Sequence, residues 1–264
     1  MNGTMGPTVT VHPKTNPARK WFLFILFGLI FVIGLVIAAY YLSHSEQSGV
    51  SVIRMEGTLV TGLASDGTTI GSEVVGGELR DAADDPMVEA IVLRVNSPGG
   101  TPAAAQEIVR DMDYARSKKP VVVSMGDLAT SAAYYVSVHA DRIYANPDTF
   151  TAGVGVIWTF SDISRFNEKE GYNISIIKSG SKKDMGSTSR PISPEEEAYA
   201  QKIVNESFEN FIGDVTAHRM IARSEIDDGR VIRGADAIGL NIVDELGNLN
   251  DAIGGAKKLA QSRT

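Results

Sequence analysis

The sequence predicts an α/β layered fold with a largely parallel sheet, preceded by one transmembrane helix. Between residues 50 and 260, short apolar runs rich in β-branched residues alternate with longer helical patterns. This alternation is typical of parallel strands connected by helices. A separate uncharged run of 22 residues, 21–42, comes before this region and is long enough to cross a bilayer.

The strands and helices are predicted from local patterns. Short apolar runs predict strands at 50–53, 90–95, 121–124, 142–144 and 174–177. Helices are predicted at 101–116, 131–140 and from 193 to about 222. The last helix has a clear start, because Ser193 suits the N-cap, Pro194 suits the first helical position and glutamates follow.

The apolar run 21–42 has the features of a membrane anchor. An aromatic residue stands at each end, Trp21 and the pair Tyr40-Tyr41, as expected at bilayer interfaces. Basic residues precede the run and only one acidic residue follows it within the next six, which predicts a cytoplasmic N-terminus. A cleaved signal peptide is the alternative, but this run is longer than the usual apolar region and ends in bulky residues.

The chain therefore divides into four predicted segments. Residues 1–20 form a cytoplasmic tail, 21–42 the transmembrane helix, 43–49 a linker and 50–264 one extracytoplasmic domain. The expected location is the cell membrane, with a single pass.

Composition excludes several kinds of site. The chain has no cysteine, so a thiol nucleophile, a disulfide scaffold and a cysteine-ligated metal are excluded. The first 42 residues hold three basic and no acidic residues, which leaves 22 basic against 32 acidic in the remainder. Such an acidic body would repel nucleic acid, so no nucleic-acid partner is expected. No phosphate loop, dinucleotide motif or metal-ligand spacing is found, and we expect no cofactor and no metal.

Two segments rich in glycine or other small residues contain candidate catalytic groups. In 94–101 an apolar strand ends in Pro-Gly-Gly, where backbone N–H groups can face a ligand oxygen; an ordinary turn is the alternative. In 125–135 a strand runs into small residues at a helix start. Ser131 there could be a nucleophile with the Ala132 N–H beside it, or a common N-cap.

A third segment, 176–186, holds three lysines within six residues of an otherwise acidic domain, which on its own indicates a solvated turn. A serine nucleophile needs a proton acceptor, however, and no histidine suits the role. Two histidines lie before or beside the membrane run, His139 lies about 12 Å along the predicted helix from Ser131, and His218 lacks a glycine-rich neighbour. A lysine can serve if its pKa falls from about 10.4 to about 7–8, and Lys182 beside Lys183 favours that fall.

These residues resemble signal peptide peptidases of the SppA type. The resemblance covers roughly residues 50 to 260, in order. It is carried by Asn96-Ser-Pro-Gly-Gly100, Gly126-Asp127, Ser131, Tyr134-Tyr135, Ala145-Asn-Pro, Gly155-Val-Ile157, Lys178-Ser-Gly180, Lys183-Asp184, Gly234-Ala-Asp-Ala-Ile-Gly-Leu240 and Val243-Asp-Glu-Leu-Gly247.

The resemblance implies a membrane-anchored Ser-Lys serine protease on the Clp protease/crotonase-like fold, which degrades remnant signal peptides. Ser131 matches the nucleophile and Lys183 the general base. Gly100 matches the glycine whose N–H joins that of Ala132 in the oxyanion hole. The family also forms homo-oligomeric rings in which neighbouring subunits complete the sites, which implies a nearly inactive monomer.

Two departures from the family pattern stand out. The nucleophile is followed by Ala132-Ala133 in place of the usual Gly-Gly, which narrows the space but removes no N–H. Gly153 replaces the serine that orients the lysine amine in the family. The hydroxyl that this serine supplies in the family could come instead from Thr149, Thr151 or Ser179.

Three other functions stay open. A related Ser-Lys protease that cuts the tail of a stomatin partner shares the glycine loop and the nucleophile setting. A crotonase-like acyl-CoA enzyme uses the same N–H pair, but commonly with paired carboxylates, and here only Asp127 and Asp184 lie near the loops. A non-catalytic membrane scaffold is the third.

Overall fold

The computed structural model describes residues 17–44 and 49–263, which belong to two units divided between Ser48 and Gly49. In the first unit, one helix, α1 (Pro17–His44), contains the predicted transmembrane segment 21–42. Some side chains of that segment (23, 24, 38 and 40–42), the tail 1–16 and residues 45–48 of the predicted linker lie outside the described residues. Within the described residues, no helix is both long and apolar enough to span a bilayer.

The second unit is built on a seven-stranded, mostly parallel sheet. Its strands are β1 (Val50–Glu56), β4 (Ala90–Ser97), β5 (Val121–Thr130), β6 (Arg142–Ala145), β7 (Phe150–Ala152), β8 (Val231–Arg233) and β9 (Glu245–Leu246). The order β1-β4-β5-β6-β9 is parallel throughout, and β7 adds to β5 in parallel while β8 is antiparallel to β7. Two short strands, β2 (Thr58–Val60) and β3 (Thr69–Gly71), form a separate parallel pair.

Helices cover both faces of this sheet. They are α2 (Ser72–Asp84), α3 (Pro102–Arg116), α4 (Ala132–Ser137), α5 (Ser164–Lys169), α6 (Pro194–Arg219), α7 (Gly234–Ala237) and α8 (Leu249–Arg263), with a short 3-10 helix at Arg223–Glu225. Side chains of α2, α3, α4 and α6 join the larger core on one face, and α8 packs on the other. The predicted α/β layered fold with a largely parallel sheet is confirmed.

Side-chain alternation along β4 explains the two layers. Ile91 and Leu93 are fully buried in the larger core, while Val92 points to the opposite face and packs with Ala252 and Ala256 of α8. Since both faces are covered, β4 begins with four consecutive apolar residues, 90–93, as parallel strands commonly do.

One predicted strand is wrong. Residues 174–177 form no strand among the described residues, and Ile174, Ile176 and Ile177 are exposed. Their β-branched pattern indicated a strand, but a strand needs a neighbour, and no described segment pairs with this one. The other four predicted strands are present and extend further, whereas the helix predicted at 131–140 ends at Ser137.

Candidate active site

Ser131 lies at a sharp turn between β5 and α4. Its φ of 54° and ψ of −127° belong to a region that side-chain-bearing residues rarely adopt. Two backbone hydrogen bonds hold the turn, because Ser131 N–H donates to the Ala152 oxygen at 2.8 Å and the Ser131 oxygen accepts from Tyr135 N–H at 2.9 Å. The fold therefore maintains a strained conformation at this serine.

The Ser131 hydroxyl does not cap the helix that follows it. Ser193 caps α6 through its side chain, which accepts from Glu196 N–H, and Thr101 caps α3 in the same way from Ala104 N–H at 3.3 Å. Ser131 occupies the same position before α4, yet its side chain makes no capping hydrogen bond. Ser131 therefore stands at the N-cap position without capping through its side chain, and its hydroxyl remains available.

The Pro-Gly-Gly turn lies directly against Ser131. Leu59 N–H donates to the Gly99 oxygen at 2.8 Å, and Thr101 N–H donates to the Leu59 oxygen at 2.9 Å, so β2 holds the turn from both sides. A methyl group added to Gly99 would come within 2.9 Å of the Ser131 Cβ and of the Ala132 nitrogen. Glycine is required at 99 both for this approach and for its φ of 102°.

Gly100 and Ala132 have N–H groups without an acceptor among the described residues. The bonds made by the residues on either side of Gly100 leave its own N–H facing away from β2. Gly100, Ser131 and Ala132 line one cavity of about 610 Å³. The structure thus brings together three of the four residues predicted for the site.

Part of the cavity wall is apolar, whereas polar residues, among them Asp227 and Asp228, line other parts. Tyr135 of α4, Val154 and two phenylalanines of α6, Phe208 and Phe211, contribute to the apolar part. Tyr135 and Phe211 pack edge to face with their ring centres 5.3 Å apart. The Tyr135 hydroxyl donates to Asp214 at 2.6 Å, and burial together with this bond raises its pKa. The apolar part of the wall therefore suits apolar side chains of a ligand.

Lys183 lies elsewhere in the second unit. It is exposed in an irregular turn, where its N–H donates to the Gly180 oxygen at 3.1 Å, and it does not line the cavity. The other two lysines of 176–186 are paired: Lys178 with Asp184 at 2.5 Å, and Lys182 with Glu195. Within the described residues, the Lys183 amine has no hydrogen-bond or ion-pair partner.

Two of the three proposed lysine-orienting hydroxyls have other partners. Thr149 donates to the Gly126 oxygen at 2.7 Å, and Thr151 donates to the Ala129 oxygen at 2.9 Å; both are buried. Ser179 is exposed and has no such bond in the described part of the chain.

The two histidines of the second unit lie beside each other and do not line the cavity. The ring centres of His139 and His218 are 4.2 Å apart. Across residues 17–44 and 49–263, no group of three or more histidines and carboxylates is arranged to hold a metal ion.

The model of peptidase family S49 matches residues 114–263, more than half of the chain. The chain belongs to peptidase family S49. The match includes both Ser131 and Lys183, and Gly100 lies before it.

Relatives of this S49 family member carry protease names. It is 33% identical to Protease 4 of Haemophilus influenzae over 83% of its own length and 36% of that protein. It is 30% identical to the chloroplastic serine protease SPPA of Arabidopsis thaliana over 81% of its own length and 32% of that protein. The resemblance to SppA-type peptidases is thus confirmed, although the chain spans only about a third of these two relatives.

A solved structure shares the fold of this S49 family member. A mutant of the 1510-N membrane-bound stomatin-specific protease superposes with a TM-score of 0.51 at 17% identity, over 76% of this chain and 81% of that one. This likeness is consistent with the Clp protease/crotonase-like layered fold.

Sequence reasoning missed two parts of the site. The backbone strain at Ser131 has no sequence signal, because serine is common before helices. The wall formed by Phe208 and Phe211 comes from a helix about 75 residues further along the chain. Their spacing of three residues on a helix was the available signal, since it places both rings on one face.

Proposed function

We propose that the chain is a membrane-anchored serine endopeptidase that degrades remnant signal peptides through a Ser131-Lys183 dyad. The observation that carries the proposal is Ser131 itself: its backbone is strained, its hydroxyl does not cap α4, and it lines a cavity where two N–H groups have no acceptor among the described residues. Membership of a peptidase family supports peptide chemistry at that serine. The apolar part of the cavity wall supports a peptide with apolar side chains, such as a signal peptide.

The proposed reaction has two steps. Neutral Lys183 takes the proton of the Ser131 hydroxyl, whose oxygen attacks the peptide carbonyl, and the N–H groups of Gly100 and Ala132 stabilise the resulting oxyanion. The C–N bond breaks as the leaving amine accepts the proton from Lys183, which leaves an acyl-enzyme. Lys183 then takes a proton from water, whose oxygen attacks the acyl carbonyl; the ester C–O bond breaks as the serine oxygen takes the proton back from Lys183, which releases the acid and restores Ser131.

The state of the three lysines supports Lys183 as the base. A general base must be neutral at the working pH. The ion pair with Glu195 raises the pKa of Lys182, which opposes that role, and Lys178 is held by Asp184. Lys183 carries no such partner within the described residues.

The separation of Lys183 from the cavity supports an assembled enzyme. In one chain the lysine does not line the cavity that holds Ser131. We propose that a homo-oligomeric ring brings Lys183 of one subunit to Ser131 of its neighbour.

The membrane anchor is proposed from the sequence. Residues 21–42 carry no charged residue, and the described apolar side chains of α1 are exposed, including Phe27 and Val36. Sodium carbonate extraction of membranes from expressing cells tests it: the full chain should stay in the pellet, and protease added to spheroplasts should reach residues 50–264. Release of the full chain by carbonate would contradict the anchor.

A stomatin-type protein is the alternative substrate. The solved structure that shares the fold is described as a stomatin-specific protease, which favours this candidate. An acyl-CoA substrate is disfavoured by membership of a peptidase family.

The test is cleavage of a synthetic signal peptide by the full chain in detergent, read by mass spectrometry. Wild type should cleave it, whereas Ser131→Ala and Lys183→Ala should each lose about 10⁴-fold or more of the rate while the chain stays folded. Cleavage of a stomatin-type tail but not of the signal peptide would favour the alternative.

Two controls sharpen this test. Lys182→Ala should retain activity, and an inactive Lys182→Ala beside an active Lys183→Ala would assign the base to Lys182. A serine-reactive phosphonate should label wild type at Ser131. Near-wild-type cleavage by Ser131→Ala would refute the assignment of the nucleophile.

A further inference from the structure

Arg190 binds two carboxylates at once, next to the turn that carries Lys183. Its Nε and Nη2 donate to the two oxygens of Asp184, each at 2.8 Å. Its Nη1 and Nη2 donate to the two oxygens of Glu196 at 2.8 and 2.6 Å. This fork uses the planar donor geometry that distinguishes arginine from lysine.

The two carboxylates are well shielded from solvent. The side chain of Asp184 is 8% exposed and that of Glu196 is 5% exposed. Arg190 lowers the pKa of both carboxyls, that of Glu196 to about 2, so both are charged across the neutral range. Without Arg190, Glu196 would lose its only cationic partner among the described residues, and buried charges without partners are costly.

The fork joins two structural elements. Asp184 is the residue after Lys183, so Arg190 holds the lysine-bearing turn. Glu196 lies in the first turn of α6, where its carboxylate also accepts from Ser193 N–H at 3.0 Å. α6 is long and contributes Phe208 and Phe211 to the cavity wall. The turn is thereby fixed to the start of α6.

Lys178 completes the arrangement. Its amine donates to Asp184 at 2.5 Å and to the Ser181 oxygen at 2.9 Å, so it ties the start of the turn to the same carboxylate. Of the four nearby cations, Arg190 and Lys178 thus converge on Asp184 and Lys182 pairs with Glu195, while Lys183 is left outside these pairs.

We propose that Arg190 is a positioning residue that holds the Asp184 carboxylate against α6 and so fixes the Lys183 amine for catalysis. The inference rests on the proposed function of Lys183. It applies whichever subunit's cavity receives the lysine, because Arg190, Asp184 and Lys183 share one loop. A misplacement of about 1 Å in a catalytic group can cost about 100-fold in rate, which sets the scale of the effect.

The experiment measures kcat and KM for signal-peptide cleavage by the full chain in detergent. Arg190→Ala should lower kcat about 10- to 100-fold and change KM less than about threefold. Arg190→Lys should recover only part of kcat, since one ammonium cannot fork to both carboxylates. Asp184→Asn keeps the shape of the side chain but removes its charge and should also lower kcat.

Arg80→Ala is the matched control. Arg80 of α2 pairs with Asp111 of α3 at 2.6 Å, so its loss also breaks an ion pair between elements, but neither residue lines the cavity. The kcat of Arg80→Ala should equal that of wild type. Thermal melts show whether each variant is folded. If Arg190→Ala is unfolded, the kcat of Asp184→Asn tests the inference in its place.

The outcomes separate the inference from the proposed function. If Lys183→Ala is inactive while folded Arg190→Ala or Asp184→Asn keeps kcat within about twofold of wild type, the inference is wrong and the dyad stands. If Lys183→Ala keeps wild-type kcat, the dyad itself is wrong, and with it the role of Arg190.

Discussion

Ser131 combines backbone strain with an unused hydroxyl. A side chain at φ 54° and ψ −127° costs about 1 to 3 kcal/mol, and the hydrogen bonds to Ala152 and Tyr135 hold the conformation against that cost. As a result, Ser131 lines the cavity, and its hydroxyl does not bind the N–H groups at the start of α4. Strain of this kind commonly marks a functional residue.

Replacing Ser131 by glycine should therefore stabilise the fold relative to alanine. Both variants lack the hydroxyl and should be inactive, but only alanine keeps a Cβ in the strained region. After subtracting the larger entropy of unfolded glycine, Ser131→Gly should exceed Ser131→Ala by about 1 kcal/mol in free energy of unfolding. Urea denaturation of the two proteins under identical conditions measures the difference, and a less stable glycine variant would contradict the strain.

His139 carries a buried imidazole. Neither of its ring nitrogens makes a hydrogen bond within the described residues, and the residue is 6% exposed. Burial, followed by the nearby His218, lowers the pKa of His139. Asp113, with an oxygen 3.7 Å from Nδ1, and Asp214 oppose this shift, and Arg116 adds to it.

This residue should make stability depend on pH. Unfolded histidine has a pKa of about 6.5. Just below that pH, His139 therefore binds a proton in the unfolded chain but stays neutral in the folded chain. The free energy of unfolding should fall as pH is lowered from 7.5 to 5.5. His139→Phe keeps an aromatic ring without titrating, so its melting temperature should fall less over this range. Equal pH dependence in both proteins would show that His139 is not responsible.

At the scale of elements, α8 packs on the sheet through small residues. Gly255 lies over Tyr144, where an added methyl would come within 2.2 Å of the tyrosine oxygen. The neighbouring Gly254 points to open space. Adjacent glycines of one helix therefore have opposite roles.

Alanine substitutions at these two glycines should have opposite signs. Gly254→Ala should stabilise the protein by about 0.5 to 1 kcal/mol, because alanine is the better helix former. Gly255→Ala should destabilise it by about 1 to 3 kcal/mol, because the buried Tyr144 ring must shift. Thermal unfolding of each variant measures the effect. A stabilising Gly255→Ala would mean that α8 is not packed against Tyr144 as described.

At the scale of the whole molecule, the two residues of the candidate dyad lie apart, since Ser131 lines the cavity and Lys183 does not. The second unit holds the nucleophile in a formed cavity and presents the candidate base on an exposed turn. An exposed apolar segment, 174–177, lies just before that turn. Both features are consistent with the proposed assembly of several copies.

Mixing two inactive variants tests this assembly. Ser131→Ala supplies intact lysines and Lys183→Ala supplies intact serines. If each site takes one residue from each of two neighbours, random co-assembly should restore about a quarter of wild-type activity. Coexpression followed by the cleavage assay measures the recovery. Ser131→Ala coexpressed with the double variant Ser131→Ala/Lys183→Ala is the control and should stay inactive; mixed particles without activity would indicate a dyad within one chain.

The sequence by itself determined the features that depend on neighbouring residues. The alternation of strands and helices predicted the layered fold, and Ser193-Pro194 predicted the start of α6. The small residues after an apolar strand pointed to Ser131, and the lack of a suitable histidine pointed to the lysine turn. Each of these signals lies within one element and its boundaries.

Tertiary structure alone decided the features that join distant residues. Only the tertiary structure shows that β2 binds the turn around Gly100 and that α6 forms part of the cavity wall. The link that Arg190 makes between Asp184 and Glu196 is likewise visible only there. The tertiary structure also leaves 174–177 unpaired, although the pattern of this segment is that of a strand. The physical reason is that backbone strain, pairing and cavity shape arise from contacts between segments, and the local pattern of a segment does not specify its partners.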